Sequence, residues 1–174
     1  MSRRLSKTLQ RTSRPGRRRH DEPCDIDNEP NPGRRLRGRA SGDVFLVKSS
    51  LGEFRALVGK EITGEEAIAA AAMAIVERGD AEYLAVTRAG EGALLAHRSG
   101  PLRLPAIAVE TLSAVGAGDS FLAAMVYALA LGKESEDAFR FGLAAGAAAV
   151  LTPGTDLCRT EDVQRLFKLQ AEQA

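Results

Sequence analysis

Apolar positions along the chain fall into short runs of period two and longer runs of helical period, separated by turns rich in glycine. "DVFLVK" is a β-branched apolar run and predicts a buried strand. "LGEFRALVG" predicts a short helix closed by Gly59. In "TGEEAIAAAAMAIVERGD", Thr63 and Glu66 form a capping-box pattern at the start of a helix, and Gly79 suits its C-cap. "EYLAVTR" predicts a second strand; "AGEG" turns the chain into "ALLAHR", and "SGP" turns it again into the extended "LRLPAIAVE". Three helices follow: one after "SAVGAGDS", one in "SEDAFRFGLAAGAAAVLT" with Ser135 as N-cap, and one in "TEDVQRLFKLQ" with Thr160 as N-cap. Strands alternate with helices and no internal repeat is visible, so the expectation is an α/β sheet with flanking helices.

The first 41 residues follow neither period. Residues 1–40 hold eleven Arg and one Lys against five acids, a net charge of about +7; the whole chain sums to +1, so the remainder carries about −6. A segment so rich in Arg, Pro, Gly and Asp cannot bury enough surface to offset its ordering entropy, and 1–41 is expected to be a disordered basic arm. "SRRLSK" resembles a twin-arginine signal but lacks the apolar stretch that should follow; the first twenty residues suit an organelle presequence but the acids after them do not. Arg clusters also attract nucleic-acid phosphate, which leaves that partner as a minor alternative to a solvated tail. The 174 residues allow one domain, and 44% hydrophobic content with only 5% aromatics predicts a core of Ala, Leu and Val. Cys24 and Cys158 form no CxxC and no Cys/His cluster, which argues against a zinc site or a disulfide framework. His20 and His97 have no partners at ligand spacing. No long uncharged apolar run exists, so no membrane partner is expected and the predicted compartment is the cytoplasm.

The candidate chemistry lies in "VGAGD", residues 115–119. Gly116 and Gly118 free the backbone to turn and let a ligand approach closely. The amides of Gly116, Ala117 and Gly118 open a helix, and free amides at a helix N-terminus hold an anion. Asp119 shares that first turn. A carboxylate beside an anion site suits removal of a proton from a hydroxyl that attacks the anion, which is phosphoryl transfer to an alcohol. The plainer reading of Asp119 is a first-turn acid that complements the helix dipole. A dinucleotide fingerprint is excluded, because Phe121 stands where a third small residue is needed and helices follow instead of a strand. No GxxxxGK[ST] occurs.

"VGAGDSFLAAMVYALA" resembles the second signature of the ribokinase-like (PfkB) carbohydrate kinases. "FLVKSSLGEFRALVG", "VTRAGEGALL" and "FGLAAGAAAVLTPGTDLC" resemble further segments of that family, its 6-phosphofructokinase branch most closely, and the similarity runs without gaps from about Asp43 to about Leu169. The resemblance implies a ribokinase-like, Rossmann-like three-layer α/β/α fold, with residues 42–174 as its C-terminal, ATP-binding and catalytic half. It implies ATP-dependent phosphoryl transfer to a sugar-phosphate hydroxyl, fructose 6-phosphate giving fructose 1,6-bisphosphate. Asp119 would be the base, with Gly116, Ala117 and Gly118 stabilising the transferring phosphoryl group. Lys48 would neutralise nucleotide phosphates, Ser50 would belong to the metal and nucleotide network, and Glu53 would organise Mg²⁺ through water. Thr87, Gly92 and Thr111 would lie along the ATP phosphates and ribose, and Leu143 with Ala147 would form an adenine slot. Ser113, Val115, Ala149, Thr152, Gly154 and Asp156 would form a site for a monovalent cation such as K⁺, and a homodimer is plausible in the family.

The sequence departs from the family pattern at named positions. Ser49 and Ser50 stand in place of Pro and Asn, Arg88 and Ala89 in place of Leu-Gly, and Ala114 in place of Thr; Asp156 replaces an Arg. The family's kinases run to roughly double this length, and their sugar-reading residues and small sheet lie in the half that has no counterpart here. The expectation is therefore an uncovered apolar sheet edge or face. Two functional classes stay open: a sugar-phosphate kinase, and a non-catalytic nucleotide-binding or interaction module of the same descent.

Overall fold

The computed structural model describes residues 44–59 and 61–172; the expected basic arm at 1–41 lies outside the described residues. The chain runs β1 (Val44–Ser50), α1 (Leu51–Val58), α2 (Glu65–Arg78), β2 (Ala81–Thr87), a 3-10 turn (Ala89–Glu91), β3 (Ala93–His97), β4 (Gly100–Leu104), α3 (Ala117–Ala130), α4 (Ser135–Ala149) and α5 (Thr160–Ala171). The four strands form one mixed sheet in the order β1-β2-β3-β4. β1 and β2 are parallel, with α1 and α2 as their crossover, while β2, β3 and β4 form an antiparallel meander.

Period-two alternation sorts the strand side chains onto two helical layers. Leu84, Val86, Leu94 and Ala96 face α1 and α2, where Phe54, Ile68, Ala72 and Val76 are buried. Ala85, Ala93, Leu95 and Leu104 face α3 and α4, where Phe121, Met125, Leu129 and Phe139 are buried. α5 covers the far side of α4 through Val163, Leu166 and Phe167. This is the expected α/β/α sandwich. Phe54, Phe121, Phe139 and Phe167 are buried, so the core is not built of Ala, Leu and Val alone; between them small residues set the layer spacing: a Cβ at Gly142 would stand 2.9 Å from the Phe121 carbonyl oxygen, and one at Gly146 would stand 3.2 Å from that of Ala117. The Gly142–Gly146 pair therefore presses α4 against the start of α3.

Four local expectations are corrected. Among the described residues β1 is an edge strand with a single neighbour, and most of its residues are only half-buried, so "DVFLVK" is not the fully covered strand its apolar run suggests. The N-cap of α2 is Gly64 with no side-chain cap, and the Thr63–Glu66 capping box is not formed. Ser135 and Thr160 are first helical residues rather than N-caps, because the carbonyls of Glu134 and Arg159 already accept the first helical bonds, from Ala138 and Val163. A capping box does form at Ser50–Glu53, heading α1.

Candidate functional site

β1 and β2 are parallel and in register to their last residues, Ser50 opposite Thr87. Their carboxyl ends therefore lie side by side, the place where open α/β sheets bind ligands. Lys48 shares the face of β1 that looks toward α3, and its ammonium occupies the space that a Cβ on Gly118 would fill. The two glycines of "VGAGD" thus serve different ends. Gly116 is the N-cap of α3 at φ 78°, a left-handed conformation that favours glycine. Gly118 is helical, and its missing side chain makes room for the Lys48 ammonium.

The first turn of α3 holds Ala117, Gly118 and Asp119. Among the described residues the amides of Gly118 and Asp119 have no hydrogen-bond partner; that of Ala117 has only a long bond of 3.5 Å to the Ala114 carbonyl. Asp119 is exposed and directly follows Gly118, the residue that meets Lys48. The site therefore presents free amides, one ammonium and one carboxylate within a single helical turn.

Glu53 closes the Lys48 side. The Ser50 amide donates to Glu53 Oε2 at 2.7 Å, the Ser50 hydroxyl donates to the same oxygen at 2.9 Å, and the Glu53 amide donates to Ser50 Oγ at 3.3 Å. These two bonds from Ser50, and then the Lys48 charge, hold the Glu53 carboxyl below its ordinary value of 4.5. The lowered value means that the folded chain favours the carboxylate. Its contribution to stability is present above the ordinary value and is lost as the pH falls through the folded one. Ser50→Ala is expected to cost about 1 kcal/mol at pH 7, the typical worth of an N-cap, and less at pH 3.5; urea unfolding at both pH values measures this.

On the far side of α3, the segment after α4 meets the one before α3. Leu112 and Ser113 amides both donate to the Val150 carbonyl, at 2.8 and 3.3 Å. The Ser113 hydroxyl donates to the Gly154 carbonyl at 3.0 Å and accepts from the Val115 amide at 3.3 Å. Thr152 Oγ1, buried, stands 2.9 Å from the carbonyls of both Ala149 and Asp156, and its single proton can satisfy only one at a time. Of the six residues named for a monovalent cation, Ser113, Val115 and Gly154 are thus joined by hydrogen bonds, Val115 through its amide, and so are Ala149, Thr152 and Asp156. Leu143 and Ala147 lie one turn apart on α4, half-buried, and flank Gly146 where it touches Ala117. Thr111 is exposed on the segment leading into this cluster.

Gly92 is placed differently from the other expected residues. At φ 89° and ψ −143°, its backbone lies against the end of β4. A Cβ there would collide with the Leu104 carbonyl and stand 2.7 Å from both Pro105 C and Ala106 N. Packing against β4 therefore accounts for this glycine. Next to it, Ala89 has φ 49° and is the one non-glycine residue in the left-handed region among the described residues. That conformation costs an L-residue about 1–2 kcal/mol. Ala89→Gly is expected to raise stability by roughly 0.5–1 kcal/mol, once the greater freedom of glycine in the unfolded chain is subtracted; a rise in melting temperature of a few degrees reports it.

Sequence reasoning noted Arg88 only as a departure. In the fold its side chain is 9% exposed and pairs with Glu65 at 2.6 Å. The run "AAGAAAV" reads in the sequence as tight helix packing as well as an adenine slot, and the close approach of Gly142 and Gly146 to Phe121 and Ala117 is that packing.

A parallel strand pair ending at a helix N-terminus, with helices on both sheet faces, makes a three-layer α/β/α fold whose ligand site lies at the strand ends. Consistent with this, the structure superposes on phosphofructokinase-2 from Escherichia coli in complex with potassium, with a TM-score of 0.72 and 37% identity, over 75% of this chain and 42% of that one. It also superposes on Arabidopsis thaliana ribokinase complexed with ribose and ATP, with a TM-score of 0.64 and 26% identity, over 71% of this chain and 41% of the other. In sequence it is 42% identical over 155 residues to ATP-dependent 6-phosphofructokinase isozyme 2 of Mycobacterium tuberculosis strain H37Rv, covering 89% of this chain and 44% of the relative. The model of the pfkB family of carbohydrate kinases matches residues 31–162, and the chain belongs to that family. The match begins at residue 31, so its first eleven residues fall within the stretch 1–41 expected as an arm. The chain spans less than half the length of the relatives it matches, and corresponds to their C-terminal portion.

Proposed function

We propose that this chain carries the nucleotide-binding and catalytic-base half of an ATP-dependent sugar-phosphate kinase, with fructose 6-phosphate as acceptor. The observation that carries the reading is the single turn at the start of α3. There the unpaired amides of Gly118 and Asp119 lie beside the Lys48 ammonium and the exposed Asp119 carboxylate. The amides and Lys48 would hold the transferring phosphoryl group and stabilise charge that develops on it. Losing one such preorganised donor typically costs about 3 kcal/mol of transition-state stabilisation. Asp119 would accept the proton of the attacking sugar hydroxyl.

The donor sets suit the implied ions. Glu53 offers one hard carboxylate oxygen beyond the one committed to Ser50, which fits Mg²⁺ held largely by water and phosphate oxygens. Mg²⁺ would neutralise phosphate charge. The carbonyls of Ala149, Gly154 and Asp156 with the hydroxyls of Ser113 and Thr152 form the all-oxygen set that suits K⁺. Thr87, beside Ser50, would meet the nucleotide phosphates, and Leu143 with Ala147 would seat the base.

A second reading is a nucleotide-binding module without turnover of its own. It is favoured by the exposure of Asp119, since a base that takes a proton from an alcohol works best where water is excluded. A coupled ADP-release assay with ATP, Mg²⁺ and fructose 6-phosphate, run beside calorimetry with ATP alone, separates the two. Turnover dependent on the sugar phosphate supports the kinase, ATP binding without turnover supports the module, and no ATP binding defeats both.

A further inference from the structure

We infer that Gly118 is the positioning residue for the Lys48 ammonium, and that helix stability is given up at this position to keep an unpaired cation beside the amides of α3. This rests on the nucleotide reading above. Lys48 is half-buried on β1, and its ammonium lies where a Cβ on Gly118 would stand, with its Cε 3.3 Å from that point. Among the described residues it has no carboxylate partner. Glu53 is turned to the Ser50 amide and hydroxyl instead. A cation at a helix N-terminus is opposed by the helix dipole. The amides of Gly118 and Asp119 beside it are donors without acceptors among the described residues. Ammonium and amides thus share one need, an oxyanion between them, and a phosphate group meets it.

The absence of a side chain at position 118 is what allows this convergence. Gly118 is helical and is not among the glycines at positive φ, so its backbone suits any L-residue. Among the described residues a Cβ there would meet only the Lys48 side chain, at Cε and Nζ, and no backbone atom outside its own helix. Alanine therefore fits the helix, and it favours the helix more than glycine does. What must move is the far end of a flexible four-carbon stem, and the ammonium then leaves the amides. Glycine is thus the poorer residue for the helix and the one that admits the cation. The amide of residue 118 is the same with alanine, so the missing Cβ contributes separately from the amide donor. Gly118 acts here through Lys48.

Gly118→Ala, Lys48→Met and the double variant are compared with the wild type. Calorimetry is run with ATP and with adenosine, each with Mg²⁺, beside thermal melts without ligand. Gly118→Ala is expected to melt at or above the wild-type temperature and yet to bind ATP about tenfold more weakly, the scale of one charge-assisted hydrogen bond. Lys48→Met should lose a similar factor, and the double variant no more than Lys48→Met alone, because the two changes remove one interaction. Adenosine affinity should stay at the wild-type value, since adenosine brings no phosphate to Lys48. A lower melting temperature for Gly118→Ala overturns the inference, because the Cβ would then be displacing the helix and not the lysine. Wild-type ATP affinity in Gly118→Ala overturns it, as does an equal loss for adenosine. A further loss in the double variant overturns it too, since the Cβ would then act without Lys48. Failure of the wild type to bind ATP defeats the nucleotide reading, and this inference with it.

Discussion

Asp119→Asn is expected to lower fructose 6-phosphate-dependent ADP release by about 10²–10⁴-fold, the usual contribution of a positioned general base. Asn preserves the shape and the first-turn position, and removes only the ability to accept a proton. ATP affinity should stay within a few-fold, because the amides of Gly118 and Asp119 and the Lys48 ammonium are untouched. The melting temperature should move little: the side chain is exposed, and a first-turn carboxylate is worth about 0.3–1 kcal/mol against the helix dipole. The triad of measurements matters more than the rate alone. Loss of turnover with binding and stability retained assigns Asp119 to chemistry; loss of stability without loss of turnover would return it to the ordinary role of a helix-start acid.

The second large effect is structural. Gly92→Ala should lower stability by about 3 kcal/mol or more, because the new Cβ meets backbone at Leu104, Pro105 and Ala106 while φ stays at 89°. Backbone atoms cannot step aside as the end of a flexible side chain can. The start of β3 would have to shift from the end of β4, with which it pairs at Ala93 and Leu104. A drop in melting temperature of roughly 10 °C is the expected reading. If Gly92 served only to let a nucleotide approach, the same variant would keep its melting temperature and lose ATP affinity. Thermal melts with and without ATP decide between the two.

Much of this protein was readable along the chain. Apolar periodicity placed four extended segments and five helices, and residues 116–119 announced a helix start built for close approach. Those features are local: a side chain every second or every 3.6 residues, and a glycine where φ is positive. Local chemistry failed where two segments offered the same motif. Thr63–Glu66 and Ser50–Glu53 both spell a capping box, and only the second forms, because the first helical turn of α2 begins after Gly64. It also misjudged "DVFLVK", since burial of a strand depends on how many neighbours it finds.

Tertiary structure alone decided the rest. That β1 runs parallel to β2 while β3 and β4 reverse, that Lys48 fills the space beside Gly118, and that Arg88 is buried against Glu65 are facts of segments far apart in sequence. The same holds for Gly92, whose reason is the backbone of β4. The chain by itself determined which residues could turn, cap or carry charge. Which of them meet was settled by packing two helical layers onto one sheet, where contact energy depends on distance through space and not along the chain.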